Sequence, residues 1–440
     1  MYKAVLSLIF SVCAIFPGIA QSFLADIDRY KTWLDYSNVH VIPEIEWEFD
    51  CDQENILFRN WGAKDESEIQ RIIQFWNTGA PGYRWHQIIT QLGDEFPGLR
   101  NGGRMVNLHA AIYDATVWAA RLLAGQNEWS FTDCLNEHFQ LVKIRCHRNP
   151  GICLRSVAAG AAAEIIGFYF PVAKEQMDSL AEEAAKSRVY AGVQSPTETR
   201  NGLCTGRFVA AYFTERAKND NTFSLWEGMV PDEPGKWTGD PGKKDPMKGK
   251  WKPFVLQSND QFRPGPPPDF EEDMDELRNF NRNHSISDIA WIWKAVPVWD
   301  LLVDQMVFEY RLIDDPLRSA LVYSAFHIGR YEATLSAWEA KYHYWAIRPF
   351  QYDPDFKPIL RETPNFPGYP AGHTAVAGSL AVILSHFFPE ERSLFLQKAM
   401  ECSESRFEGG VHFRTDNETG LDMGYKIGAL VIDFISKYGQ

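Results

Sequence analysis

Only 7 of the 440 residues are cysteine, and the 44 basic side chains are outnumbered by 58 acidic ones. The formal charge of −14 repels polyanions, so nucleic acid and anionic lipid are excluded as partners held by bulk charge. Any anion site has to be built locally. Beyond the amino terminus no apolar run reaches bilayer-spanning length: Val157–Pro171 and Thr374–Pro389 are broken by Glu164 and His386. The cysteines lack zinc-ligand spacing. Apolar and aromatic residues are plentiful instead, 45% and 14%, enough for a large buried core, and this excludes disorder as the dominant state.

Residues 1–20 read as an export signal: Lys3, the run AVLSLIFSVCAIF, then Gly18 and Ala20 ahead of Gln21. Pro17 and Gly18 close the run before it can anchor in a bilayer, so the expected location is secreted, periplasmic or extracellular. Removing the signal takes Cys13 away and leaves Cys51, Cys134, Cys146, Cys153, Cys204 and Cys402. One or two disulfides are expected in an oxidising space, with Cys134, Cys146 and Cys153 the best bridging candidates by proximity in sequence. The sequons Asn283–Ser285 and Asn417–Thr419 fit export.

After the signal, residues 21–103 mix aromatic and charged residues with Gly and Pro and read as a wrapping arm, helical from Glu66 to Thr78. Residues 104–216 carry apolar residues every three or four positions with many Ala, the pattern of packed helices. Residues 217–286 collect Gly, Pro and Lys in GKWTGDPGKKDPMKGKWKPF and PGPPPDF, which reads as a long extended connection. Helical periodicity returns over 287–440, broken by loops at Asp353–Pro370 and Phe407–Asp416. Aromatic-rich helical surfaces are compatible with a homo-oligomer.

The two helical blocks align without gaps at an offset of 218 residues. Tyr113, Ala115 and Thr116 meet Tyr331, Ala333 and Thr334, with Asp114 facing Glu332. Ala159, Gly160, Ala163, Ile165, Phe170 and Pro171 meet Ala377, Gly378, Ala381, Ile383, Phe388 and Pro389. Ser187, Arg188, Gly192 and Val193 meet Ser405, Arg406, Gly410 and Val411, and Gly202, Leu203 and Gly206 meet Gly420, Leu421 and Gly424. Four clusters on one offset argue for duplication. The expected fold is all-α, two helical bundles related by a pseudo-twofold axis.

The second copy alone gathers convergent cationic and imidazole groups. Lys341 and Arg348 stand seven apart in KYHYWAIRP, so a continuous helix would place both on one face. In PGYPAGHTAVAGSL, Gly372 lets a ligand approach the backbone and His373 opens an apolar helix whose free amides favour an anion. In SRFEGGVHFRTDNETG, the Arg406 fork suits a tetrahedral oxyanion, and Asp416 can fix the tautomer of His412. Each piece alone is an ordinary surface or core residue; their order within one stretch points to an oxyanion pocket. At the same offset the first copy has Leu123, Ser130, Arg155 and Gln194 in place of Lys341, Arg348, His373 and His412, so the pocket belongs to the second bundle.

These three motifs resemble those of the type 2 phosphatidic acid phosphatase and vanadium-dependent haloperoxidase superfamily. GRMVNLHAAIYDA, WKPFVLQSNDQFRPGPPP and SDIAWIW are similar to its soluble haloperoxidase branch. The resemblance implies orthovanadate, with phosphate able to compete, held by Lys341, Arg348, Arg406 and the Gly372 amide. His412 would be the metal ligand, Asp416 its hydrogen-bond partner, and His373 the acid and base. Hydrogen peroxide, halide and a small organic acceptor would be the partners, and hypohalous acid the product. The alternative implied by the same motifs is a soluble acid phosphatase with His412 as nucleophile and His373 protonating the leaving group, or an anion-binding relative of weak activity. One departure stands out: the family's usual serine is Ala371, which removes a hydroxyl donor that Thr374 or water would have to replace. Phe366 lies where relatives place a residue near the halide, or packs as an aromatic.

Overall fold

A computed structural model of the protein describes residues 27–39, 45, 65–99, 102–124, 151–243, 245–280 and 284–436. The export segment, Cys51, Cys134, Cys146, Ser130 and Asn283 lie outside the described residues. Among the described residues there are helices and no strand, only an isolated bridge between Lys236 and Ala346.

The amino-terminal segment is more helical than its composition suggested. Helix α1 (Glu66–Asn77) starts on an Asp65 cap that accepts from the Glu68 amide, and Ile72 and Trp76 are buried. Helix α2 (Tyr83–Glu95), which the sequence pattern did not reveal, follows at once and buries Trp85, Ile89 and Leu92. It is amphipathic but begins at Gly82 with no side-chain cap to mark its start, and packing on the first bundle stabilises it.

The first bundle consists of α3 (Arg104–Ala124), α4 (Leu154–Tyr169), α5 (Lys174–Tyr190) and α6 (Pro196–Lys218). In the connection lie a 3-10 helix (Asp245–Lys250) and α7 (Glu271–Asn279), so it is extended only in part; Met274 and Leu277 bury one face of α7. The second bundle follows with α8 (His284–Ala295), α9 (Val298–Glu309), α10 (Pro316–Tyr344), α11 (Pro349–Tyr352), α12 (Gly372–Phe387), α13 (Arg392–Glu408) and α14 (Arg414–Ser436).

From α4 onward the second bundle repeats the first residue for residue at the offset of 218: α12, α13 and α14 begin and end where α4, α5 and α6 do. The small residues explain the register. A Cβ on Gly206 would lie 2.1 Å from the Val157 carbonyl oxygen, and one on Gly424 would lie 2.2 Å from that of Ala375. Both helix pairs therefore touch backbone to backbone at equivalent points. The carboxylates repeat as well. Asp114 accepts from the amides of Trp33 and Leu34 and the hydroxyl of Tyr36, while Glu332 accepts from the amides of Phe254, Val255 and Leu256. Each copy thus uses one buried acid to pin an incoming extended strap, which satisfies both the carboxylate and the strap's amides.

Helix α3 packs against α10, joining the copies. There the equivalent residues His109 and His327 stack with ring centroids 4.2 Å apart. Equivalent residues meet in this way only beside the pseudo-twofold axis. No described helix is long and apolar enough to cross a membrane. Cys153 carries a buried free thiol, correcting its place among the bridging candidates; Cys204 and Cys402 are free as well. Asn417 is buried inside α14, so its sequon is no glycan acceptor in the folded chain.

Candidate functional site

Helix α10 ends on Trp345 in the left-handed region, φ 53°, with its amide donating to the Lys341 carbonyl. Arg348 lies beyond that end, in extended backbone before α11. The continuous helix expected to align Lys341 and Arg348 is therefore absent, and the carbonyls of a returning loop hold the two heads instead. Lys341 Nζ donates to the carbonyls of Pro367, at 2.9 Å, and Gly368. Arg348 donates from Nε to the Phe366 carbonyl at 2.8 Å and from Nη1 to that of Val411 at 2.6 Å. Both side chains are fully buried. The Phe366 ring lies 5.5 Å from Lys341 Nζ, 5.0 Å from the Arg348 guanidinium carbon and 5.1 Å from the Trp338 ring, so it packs as an aromatic floor under both cations.

Ala371 caps α12 in extended backbone and offers no side-chain acceptor. Gly372 opens the helix, and a Cβ there would stand 2.7 Å from the Trp338 ring. Thr374 donates its hydroxyl to the Ala371 carbonyl and lies against Gly420 of α14, so it is spent on helix packing and does not stand in for the missing hydroxyl. His373 is reached by solvent. Even so, the protein packed round it and then Arg406, Lys341 and Arg348 hold its imidazole below the usual histidine range.

Arg406 stands in the last turn of α13 and donates from Nη2 to the Ala290 carbonyl at 2.7 Å. Gly410, φ 73°, turns the chain toward His412 at the foot of α14. His412 Nδ1 lies 2.9 Å from Asp416 Oδ2, which also accepts from the Phe413 amide. The Asp416 carbonyl accepts from the Ala371 amide, tying the start of α12 to the same turn. With Nδ1 carrying its proton toward Asp416, Nε2 is left as a lone pair, 3.3 Å from Arg348 Nη1. Burial first, then Arg348, Lys341, His373 and Arg406, keep His412 neutral well below the ordinary histidine value. Burial lifts Asp416 to about 7, opposed by Lys341 and Arg348.

The five side chains are close enough to act on one another's charge, and Gly372 stands among them. Lys341, Arg348 and Arg406 are buried, and the Asp416 carboxylate acts on the first two. Buried charge demands compensation, which an anion before these groups could supply. Lys341 keeps one N–H and Arg348 keeps others beyond the carbonyl bonds above. The donor set therefore fits a tetrahedral oxyanion with a nitrogen lone pair on one side. Cavities of about 220 and 240 Å³ flank Lys31 and touch none of these residues. At the equivalent positions of the first copy, Leu123 is buried and Arg155 donates to the carbonyls of Gly79 and Ile313.

Sequence reasoning missed Trp338 and the carbonyls of Phe366, Pro367 and Gly368, which orient the cations. It also missed a separate imidazole cluster, His86, His109 and His327. For the last two a signal existed: they are equivalent at the offset of the repeat.

Residues 320–439 match the family model of the PAP2 superfamily. The non-specific acid phosphatase of Salmonella typhi is 31% identical over 117 residues, 25% of this chain and 44% of that protein. That of Salmonella typhimurium strain LT2 is 33% identical over 103 residues, 22% of this chain and 39% of that protein. The chain thus spans less than half the length of these phosphatases. Among solved structures, the first bacterial vanadium-dependent iodoperoxidase superposes with a TM-score of 0.55 at 21% identity, covering 88% of this chain and 98% of that one. The holo-type bacterial vanadium-dependent chloroperoxidase gives 0.55 at 15% identity, covering 77% and 91%. These likenesses establish the fold.

Proposed function

We propose that the protein is a vanadium-dependent haloperoxidase, exported from the cell, that oxidises halide with hydrogen peroxide to hypohalous acid. The observation that carries this reading is the extent of the likeness: the structural match spans 88% of this chain and 98% of a haloperoxidase, whereas the phosphatase similarity covers 25% of this chain. Bound orthovanadate would supply a Lewis-acidic centre at which peroxide becomes electrophilic toward halide.

The chain's own groups do the rest. His412 presents the Nε2 lone pair while Asp416 holds the Nδ1 proton, fixing tautomer and ring orientation. Lys341, Arg348 and Arg406 supply the positive charge that holds an oxyanion, and the amide of Gly372 adds the start of α12. His373, open to solvent, takes and returns the proton of incoming peroxide. An anion in the site raises its proton affinity by offsetting the three cations that depress it.

A second reading has its own support. The stretch that matches the PAP2 superfamily, residues 320–439, contains the whole cationic constellation, and the curated relatives this chain resembles are acid phosphatases. In that reaction His412 Nε2 attacks phosphorus, His373 protonates the leaving alcohol, and water then cleaves the phosphohistidine. One experiment separates them. Orthovanadate-loaded protein given peroxide and bromide or iodide is expected to halogenate an indicator dye, and His412→Ala to abolish this. Silence of the loaded protein together with cleavage of para-nitrophenyl phosphate would install the phosphatase reading.

A further inference from the structure

The imidazoles of His86, His109 and His327 lie on α2, α3 and α10, away from the oxyanion constellation. One ring nitrogen from each falls within 4.8 Å of the others. His86 Nδ1 and His109 Nε2 face each other at 3.0 Å. Two imidazole nitrogens on one tetrahedral zinc stand about 3.3 Å apart, given bonds of roughly 2.0–2.1 Å. His327 is 2% exposed, and neither of its ring nitrogens has a hydrogen-bond partner. Buried imidazole nitrogens are ordinarily satisfied, so this ring is missing a ligand.

The surroundings favour a divalent cation. Asp300 Oδ1 stands 4.0 Å from His86 Nε2 and is itself fixed by both terminal nitrogens of Arg330, at 2.9 and 2.8 Å. A carboxylate behind a ligating histidine orients the ring and raises its basicity. Burial keeps His109 and His327 neutral well below the ordinary histidine range, leaving lone pairs for a metal. Arg330 opposes a cation, but its charge is matched by Asp300, and Asp304 adds a further acid nearby.

We infer that His86, His109 and His327 form a metal site for a Zn²⁺-type ion at the seam between the two copies. The duplication contributes one ligand from each copy, and His86 makes the set asymmetric and opens it to solvent at its edge. Three imidazoles suit zinc, with water as the fourth ligand. Binding requires the His327 ring, stacked on His109 with planes 10° apart, to swing about its Cβ–Cγ bond until a nitrogen meets the other two. No hydrogen bond holds it back. The ion would tie α2 and α3 to α10.

The test is calorimetric titration of Zn²⁺ into chelator-stripped full-length protein at neutral pH, with Co²⁺ as an optical probe. One equivalent is expected, the Co²⁺ form showing tetrahedral visible bands. His86→Gln, at the half-buried edge and safe for folding, is expected to weaken binding at least about tenfold. A wild-type protein that takes up no ion, or equal affinity in wild type and His86→Gln, would overturn the inference, the latter placing the ion elsewhere, such as at His412.

Discussion

Ala371→Ser restores one oxygen at the start of α12, and its effect can be worked out from the cap. Ala371 has φ −71° and ψ 119°, the extended backbone of an N-cap residue, is fully buried, and offers the first turn no acceptor. A serine oxygen there accepts from a first-turn amide and still has a proton to donate to an oxyanion in front of Gly372. The first bond is worth about 0.5–2 kcal/mol to the fold. The second, made to a charged acceptor, is worth about 1.5–3 kcal/mol, which is one to two decades in affinity. The substitution adds one atom and leaves the backbone carbonyl beside Gly420 untouched, so overpacking is the smaller effect. Titration calorimetry with orthovanadate, and separately with phosphate, should therefore show Kd falling by about one to two decades. The melting temperature without anion should rise. A rise in melting temperature with unchanged Kd for both anions would show the hydroxyl serving only the helix and would refute the placing of the anion before Gly372.

Gly206→Ala and Gly424→Ala drive a Cβ onto backbone carbonyls at 2.1 and 2.2 Å, so each should lose about 1–3 kcal/mol or more in denaturant unfolding, with similar losses in the two copies. Asp114→Asn turns an amide N–H₂ toward the donors of Trp33, Leu34 and Tyr36; a loss of about 1–3 kcal/mol and faster proteolysis of the arm are expected. His109 and His327 have folded-state pKa values below their unfolded value of about 6.5, so the unfolded chain binds protons that the folded one does not. Their contribution is complete above about pH 6.5 and is lost on acidification, by up to about 1.4 kcal/mol per pH unit for each ring. Urea melts of chelator-treated protein at falling pH should show this slope, and His327→Phe should reduce it by one proton; an unchanged slope would deny the buried neutral state.

The limits of sequence reading are local and physical. Helix α1 was legible because Asp65 caps an amphipathic stretch, whereas α2, just as amphipathic, begins at Gly82 with no side-chain cap, and α7 is a nine-residue helix that also lacks one. The spacing of Lys341 and Arg348 invited a shared helix face, but Trp345 ends α10 between them, and the carbonyls of residues 366–368 bring the heads together. The cysteine count suggested a bridge at Cys153, whose thiol is buried and free.

What the linear order of residues determined is the repeat. Glycine and alanine at fixed intervals dictate which helices pack backbone to backbone, and the copies share those intervals because close packing tolerates no Cβ there. The types and order of the cationic and imidazole groups were likewise readable. Which donors are spent on carbonyls, which nitrogen of His412 faces Asp416 and which faces Arg348, and that His109 meets its own counterpart beside His86 were decided only by the folded chain. Hydrogen-bond partners and symmetry-related contacts join residues distant in sequence, and no periodicity along the chain encodes them.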